Sequence, residues 1–558
     1  MGSLRGLRGA VAVVATLCAA GCSWGLMRFQ AEGRSDVLSA AAGPDETVPG
    51  ITRFAWDDLG GLHTDAMDTH AFPLKVIVAA LLLRRSERGE AVAFREESVL
   101  PILQEFGFIV PDTILNMKDA LQPDRYVSPL GLLRGMASRR FPRVELEIAN
   151  LGCAACHAGV TYDSVGAPRG AVWMGLPNTS LDLDALTDEL YEALLLTIET
   201  PDRFWTTLDL IYPDMPAGEE ATVRRLFPVI QERIEQSRDL WGRLGPYAPG
   251  GPGMGNAVGA ARHVLGLFDP AGGAVGVGGA VSIPDLGDRL LKSSLAVDGT
   301  FGAPGEPRSR PLRPEDLTDA HLDAKAGVIA FFSVPIMGVK PHRVESIVPG
   351  IRDILEFLKG YRPPPFPGAV DVALATAGER LFGDRCASCH GEYGSIPNVR
   401  LERYPNVVVP LEGVGTDPAR WEAAEPELAI AIQRSAAGKL LAVGPTSGYV
   451  PPPLTGLWAT APYLHNGSVP TVWHMMHPEL RPDRFQVGGH RLDFERLGID
   501  GETARDGTYR YPEGYEPWST PSVFDTALPG QNNRGHEKPF QDLSEPEKRA
   551  LLEYLKLL

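Results

Sequence analysis

Cysteine is scarce: six of 558 residues, and two of these, Cys18 and Cys22, fall in the first 22 positions. The four that remain are too few, and too closely grouped, for the disulfide framework of a small stapled scaffold. Basic residues are also in deficit, 53 Lys and Arg against 70 Asp and Glu, for a formal charge of −17. A chain built to coat phosphate backbones needs the opposite balance, so nucleic acid is excluded as a natural partner. Long apolar runs are missing beyond the N-terminus. Val76 to Leu83 is an eight-residue run, where a membrane-spanning helix needs about 20. Hydrophobic residues at 44% and charged residues at 22% rule out a mostly disordered chain, and the length calls for more than one domain.

What is present begins with an address. Arg5 and Arg8 precede an apolar run from Ala10 to Ala20, followed by Gly21 and Cys22, the layout of a secretory signal over residues 1–21. Its end, Ala19-Ala20-Gly21-Cys22, resembles a bacterial lipoprotein signal, with Cys22 as the lipid-bearing residue; plain cleavage is the alternative, because Ala19 stands where a bulky aliphatic residue is usual. Removal of residues 1–21 leaves 51 basic and 70 acidic residues, a charge of −19. The expected location is the periplasm, the outer membrane through a tether at Cys22, or the medium.

The four remaining cysteines occur in Cys153-Ala154-Ala155-Cys156-His157 and Cys386-Ala387-Ser388-Cys389-His390. Both match the attachment pattern of c-type haem. Two thiols three positions apart can add to the two vinyl groups of one porphyrin, and the following histidine is placed to bind its iron. A redox dithiol gives no reason for the histidine in both copies, and no further cysteine pair completes a zinc site. The expected cofactors are therefore two covalently bound haem c groups, on Cys153, Cys156, Cys386 and Cys389, with His157 and His390 as proximal iron ligands.

Organisation follows from the motifs. Residues 22–70 form an N-terminal extension without a clear period, and a first haem domain spans 71–360. Helical spacing is expected for Val99 to Phe106, Ile114 to Leu121, Leu181 to Thr197 and Phe204 to Leu244. Residues 245–279 hold 12 glycines and read as a glycine-rich loop. Tyr361-Arg362-Pro363-Pro364-Pro365-Phe366-Pro367 is a stiff connector, and 368–558 is a C-terminal cytochrome c domain. It opens with a helix from Val370 to Phe382 and closes with one opened by the capping box of Ser544 and Glu547. The fold class expected is mainly α: two cytochrome c-like haem domains with long loop-rich insertions.

The stretch Trp458-Ala459-Thr460-Ala461-Pro462-Tyr463-Leu464-His465-Asn466-Gly467-Ser468-Val469-Pro470-Thr471 resembles the signature that follows the second haem in bacterial dihaem cytochrome c peroxidases and rubber oxygenases. Asn150-Leu151-Gly152-Cys153, Trp173 to Ser180 and Arg534-Gly535-His536-Glu537 are similar to the rubber oxygenase branch. The resemblance covers most of residues 90–558. It implies an oxidoreductase whose first haem meets dioxygen or peroxide and whose second haem transfers electrons, with an apolar substrate or a redox protein as further partner. It also implies His536 as the second iron's sixth ligand, with Met475 or Met476 or His465 as alternatives, and Phe301 in the distal pocket of the first haem. Relatives carry a Trp just after the proline matching Pro284; here Asp285 and Leu286 follow. His474 and His477 are read as a surface pair. The competing function is a dihaem electron carrier with both irons six-coordinate.

Overall fold

A computed structural model describes residues 30–31, 50–57, 72–139, 144–241, 250–267, 279–337, 339 and 341–558. The signal segment 1–21, Cys22, most of the 22–70 extension and much of the glycine-rich loop lie outside them. None of the described helices is long and apolar enough to cross a membrane.

Eight helices carry most of the packing: α1 (Leu74–Glu87), α2 (Leu183–Glu199), α3 (Pro201–Ile211), α4 (Ala217–Trp241), α5 (Asp319–Met337), α6 (Val344–Gly360), α7 (Val372–Arg385) and α8 (Glu545–Leu555). α2 starts where the Asp182 carboxylate accepts from Ala185 N at 2.9 Å, which satisfies a free amide of the first turn. α1 is buried on nearly every side by α2, α3 and the strands preceding the first motif, because its run from Val76 to Leu83 has no polar face.

The expectation of a mainly α protein is corrected: 44% of the structure is helix and 15% is strand, in several small sheets, a mixed α and β class. The physical reason lies around the first motif. β1 (Leu132–Arg139) and β2 (Val144–Leu151) form an antiparallel ribbon with Leu132 opposite Leu151. In β2, Val144, Leu146 and Ile148 alternate with Glu145 and Glu147, the period of a strand with one buried face. β2 runs straight into Gly152 and Cys153. After His157 the chain is again extended: β3 (Ala158–Tyr162) pairs with β4 (Pro168–Met174), placing Ala158 opposite Met174. The first motif is thus a single helical turn between strands. Helical spacing from Ile114 to Leu121 also gives way. Ile114 pairs beside Val172, and the Gln122 side-chain amide bonds both the N–H and the carbonyl of Ile114, leaving only a short turn at Asp119–Leu121. Later strands include β5 (Arg484–Val487) and β6 (Ser522–Asp525), which pair antiparallel.

Two cores result. One lies among α1 to α4 and the β1–β2 ribbon. The other draws side chains from both sides of the proline-rich connector, from Phe54 through Phe331 and Trp458 to Leu558. The connector is pinned: Trp173 Nε1 donates to Arg362 O at 2.8 Å and Trp458 Nε1 to Pro364 O at 3.2 Å.

α7 delivers the second motif and packs against α8 at the chain's end. Their crossing is closest at Gly378, where an added Cβ would lie 1.9 Å from the Ala550 carbonyl oxygen and 2.9 Å from Tyr554 Cβ. Both obstacles are firmly placed, so Gly378→Ala must spread the helices. Overpacking of this kind costs about 1–3 kcal/mol, more than the gain in helix propensity of up to about 1 kcal/mol. Denaturant unfolding of the variant should show a lower midpoint than the parent protein.

Candidate haem centres

At the first motif the helical turn Cys153–His157 is clamped by the Trp173–Ser180 segment. Gly175 N donates to His157 O at 2.8 Å, Asn178 N to Cys156 O at 2.8 Å, and Asn178 Nδ2 to Gly107 O at 2.8 Å. This stretch thus holds the motif's backbone. Gly131 supports the other side, with space for no Cβ against Ala155 N.

Both motif histidines are oriented by the same device. His157 Nδ1 lies 3.2 Å from Pro284 O and His390 Nδ1 lies 2.8 Å from Pro452 O. A carbonyl can only accept, so each Nδ1 carries the proton and each Nε2 keeps its lone pair for a metal. Burial pushes His157 down to about 4, with the Arg289 charge adding to it, and lowers His390 likewise. Neither ring is charged at neutral pH. The thiols are free; burial pushes Cys153 up to about 11 and Cys156 and Cys386 to about 12.

The ring of His536 faces that of His390, with centroids 5.9 Å apart and planes at 60°. An iron bound by two imidazole nitrogens at about 2 Å each, with about 1 Å more from nitrogen to ring centre, needs about 6 Å. The spacing therefore fits, and His390 and His536 would hold an iron between them. His536 has φ 59°, a conformation uncommon outside glycine, and the surrounding contacts enforce it. His536 N donates to Val414 O at 2.7 Å, Arg481 Nη1 donates to Gly535 O at 3.2 Å, and Asn466 Nδ2 donates to Gly530 O at 3.1 Å and Asn532 O at 3.0 Å. Asn466 thus ties the 458–471 signature to the segment bearing His536. Met476 packs in the core and Met475 against it, while His465 lies on the Tyr449 ring at 4.4 Å.

Around His157 the arrangement differs: among the described residues no ring opposes it. Phe301 is fully buried, 5.0 Å edge-to-face from Phe332 and 6.0 Å from Phe331. Three residues earlier Asp298 is buried against Arg420 at 2.6 Å. Beside Pro284, Asp285 accepts from Tyr361 Oη at 2.9 Å and from Gly287 N at 2.6 Å, and burial raises its carboxyl to about 7.

His474 and His477 are not a surface pair. Both are buried: His474 Nδ1 meets Thr471 Oγ1 at 2.8 Å, and His477 stacks on Trp473 and meets Glu545 at 2.9 Å. Sequence reading also passed over His490, only 1% exposed, both of whose ring nitrogens lack a partner among the described residues. Its neighbours reach the segments that follow the first motif, since Gly489 N donates to Ser180 Oγ at 2.8 Å and Leu492 N to Gly166 O at 2.9 Å. The glycines before it were the available signal. The carbonyls of Pro284 and Pro452 had none, being main-chain atoms.

Comparison with known proteins gives matches over parts of the chain. Residues 448–486 match a RoxA-like, cytochrome c-like domain, which implies covalently bound haem c and suggests haem-dependent redox activity. The match includes Pro452, the 458–471 signature and Arg481. Two proteins of Sinorhizobium fredii (strain NBRC 101917 / NGR234) are similar in part. The uncharacterized protein y4iJ is 32% identical over 264 residues, 36% of this chain and 42% of that protein. The uncharacterized protein y4iM is 29% identical over 233 residues, 37% of this chain and 50% of that protein. The chain thus spans half or less of the curated relatives it matches.

Proposed function

We propose that this protein is an exported dihaem c-type cytochrome oxidoreductase. The haem at His157 is its reactive centre, open to dioxygen or peroxide, and the haem at His390, closed by His536, moves electrons. The observation that carries this reading is the asymmetry between the centres: an imidazole faces His390 across a gap suited to iron, and among the described residues no ring faces His157. An iron with two strong nitrogen ligands has no position left for substrate, so labour divides along that difference.

When bound, the haem supplies the redox chemistry. The chain's own residues fix it and shape access. The cysteine pairs bind it, Pro284 and Pro452 hold the proximal rings in one tautomer, and the cluster of Phe301, Phe331 and Phe332 supplies apolar surface that excludes water. Dioxygen or peroxide is the small-molecule partner, with an apolar substrate or a redox protein as the second. An address at the N-terminus, with Cys22 as a site for lipid, fits work in the periplasm or at the outer membrane.

One observation favours the alternative, an electron carrier with both irons closed. His490 is a neutral buried imidazole, pushed to about 4 by burial, with two free nitrogens near the clamp of the first motif. Carbon monoxide decides between them. The fully reduced protein should bind one equivalent per chain, at the first iron, with an optical shift confined to half of the haem absorbance. No binding at either iron would establish the carrier.

A further inference from the structure

The segment Pro284 to Lys292 runs from the support of one motif histidine to the support of the other. At its start, the Pro284 carbonyl orients His157. Further on, Asp288 accepts from Thr455 Oγ1 at 2.6 Å, and the Lys292 ammonium lies 3.5 Å from Val450 O. Residues 450–455 are the stretch that presents the Pro452 carbonyl to His390. Nine residues therefore touch what holds both rings. Midway stands Arg289, partly buried, its Nε donating to Asp285 O at 2.8 Å. Among the described residues neither Arg289 nor the buried Lys292 has a carboxylate within ion-pair distance.

We propose that Arg289 is a shared electrostatic control, one guanidinium that sets the redox potentials of the haems at both motifs. The inference rests on the dihaem reading above. Reduction adds one electron at each iron, and a fixed cation nearby favours the added negative charge, more strongly where water is excluded. The Arg289 guanidinium stands on the Asp285 carbonyl, next in the chain to the carbonyl that orients His157, and the adjacent Asp288 is bonded to Thr455 in the stretch that orients His390. A guanidinium keeps its charge in such surroundings. It also occupies the neighbourhood in which Asp285 and Leu286 stand instead of an aromatic ring.

The test is a spectroelectrochemical titration of the full-length, haem-loaded protein, read as two waves. Arg289→Gln should lower both midpoints, with the reduced-to-oxidised ratio at a fixed potential falling about three- to tenfold at each haem; tenfold corresponds to about 59 mV for one electron. Arg289→Lys, which keeps the charge on a different head group, should shift both waves together and by less than Arg289→Gln. An Arg289→Gln that moves one wave only overturns the proposal, as does an Arg289→Lys that moves the waves as far as the glutamine variant. Should Arg289→Gln not accumulate with two haems, Arg289→Lys decides alone: a joint displacement supports shared control, and a single displaced wave or none overturns it. A parent protein with one haem mass or one wave contradicts the dihaem reading instead.

Discussion

Replacing His536 with alanine is expected to convert the second haem from low-spin to high-spin and to double the carbon monoxide bound by the reduced protein, from one equivalent per chain to two. The ring opposite His390 is the group that would fill that iron's sixth position, at a centroid spacing of 5.9 Å. The alternative ligands are engaged elsewhere: Met476 packs in the core, Met475 against it, and His465 lies against Tyr449. The loop that carries His536 is tied down by Arg481 and Asn466, so the variant should keep its fold and lose a ligand. EPR and optical spectra of the oxidised protein read the spin state directly. A second haem that stays low-spin in the variant would place another residue at that iron.

Removing both thiols of the second motif, Cys386→Ser with Cys389→Ser, is expected to lower the intact mass by one haem and to leave the first centre loaded. Attachment at each motif depends on its own thiols, and the contacts clamping Cys153–His157 come from Trp173–Ser180, Gly107 and Gly131. The size of the effect is all or none, read by mass spectrometry and by haem staining of denatured protein. Loss of both haems would mean that the first centre needs the second in order to form. Unchanged mass would refute attachment at residues 386–389.

The two motifs could be read directly because their pattern is local: five residues contain both thiols and the histidine. His536 could be singled out only through resemblance, since its partner His390 is 146 positions away and no spacing rule connects them. The strands were missed for two different reasons. Val144 to Ile148 has a clear two-residue alternation, which a mainly helical expectation obscured. Many of the other strands are two residues long, such as Phe301–Gly302 and Ala442–Val443; their pairing is set by the tertiary fold and leaves no period to detect. His474 and His477 were misplaced because helical spacing reveals which side chains are neighbours, not whether Trp473 and Glu545 cover them. Arg289 lies just past Pro284 to Leu286 and belongs to no motif of the sequence.

The carbonyls that orient the two proximal rings have a consequence for biosynthesis. His157 waits for Pro284, 127 residues later, and His390 for Pro452, 62 residues later. The thiols that would capture a haem emerge together, well before the backbone that fixes the ring beside them. Were the chain exported from its N-terminus, as proposed, covalent capture at each motif could come first, with the histidine still free to turn, and folding would then complete the ligand geometry. Long-range closure of this kind is slow compared with local helix formation. Covalent attachment keeps the cofactor from escaping during that delay.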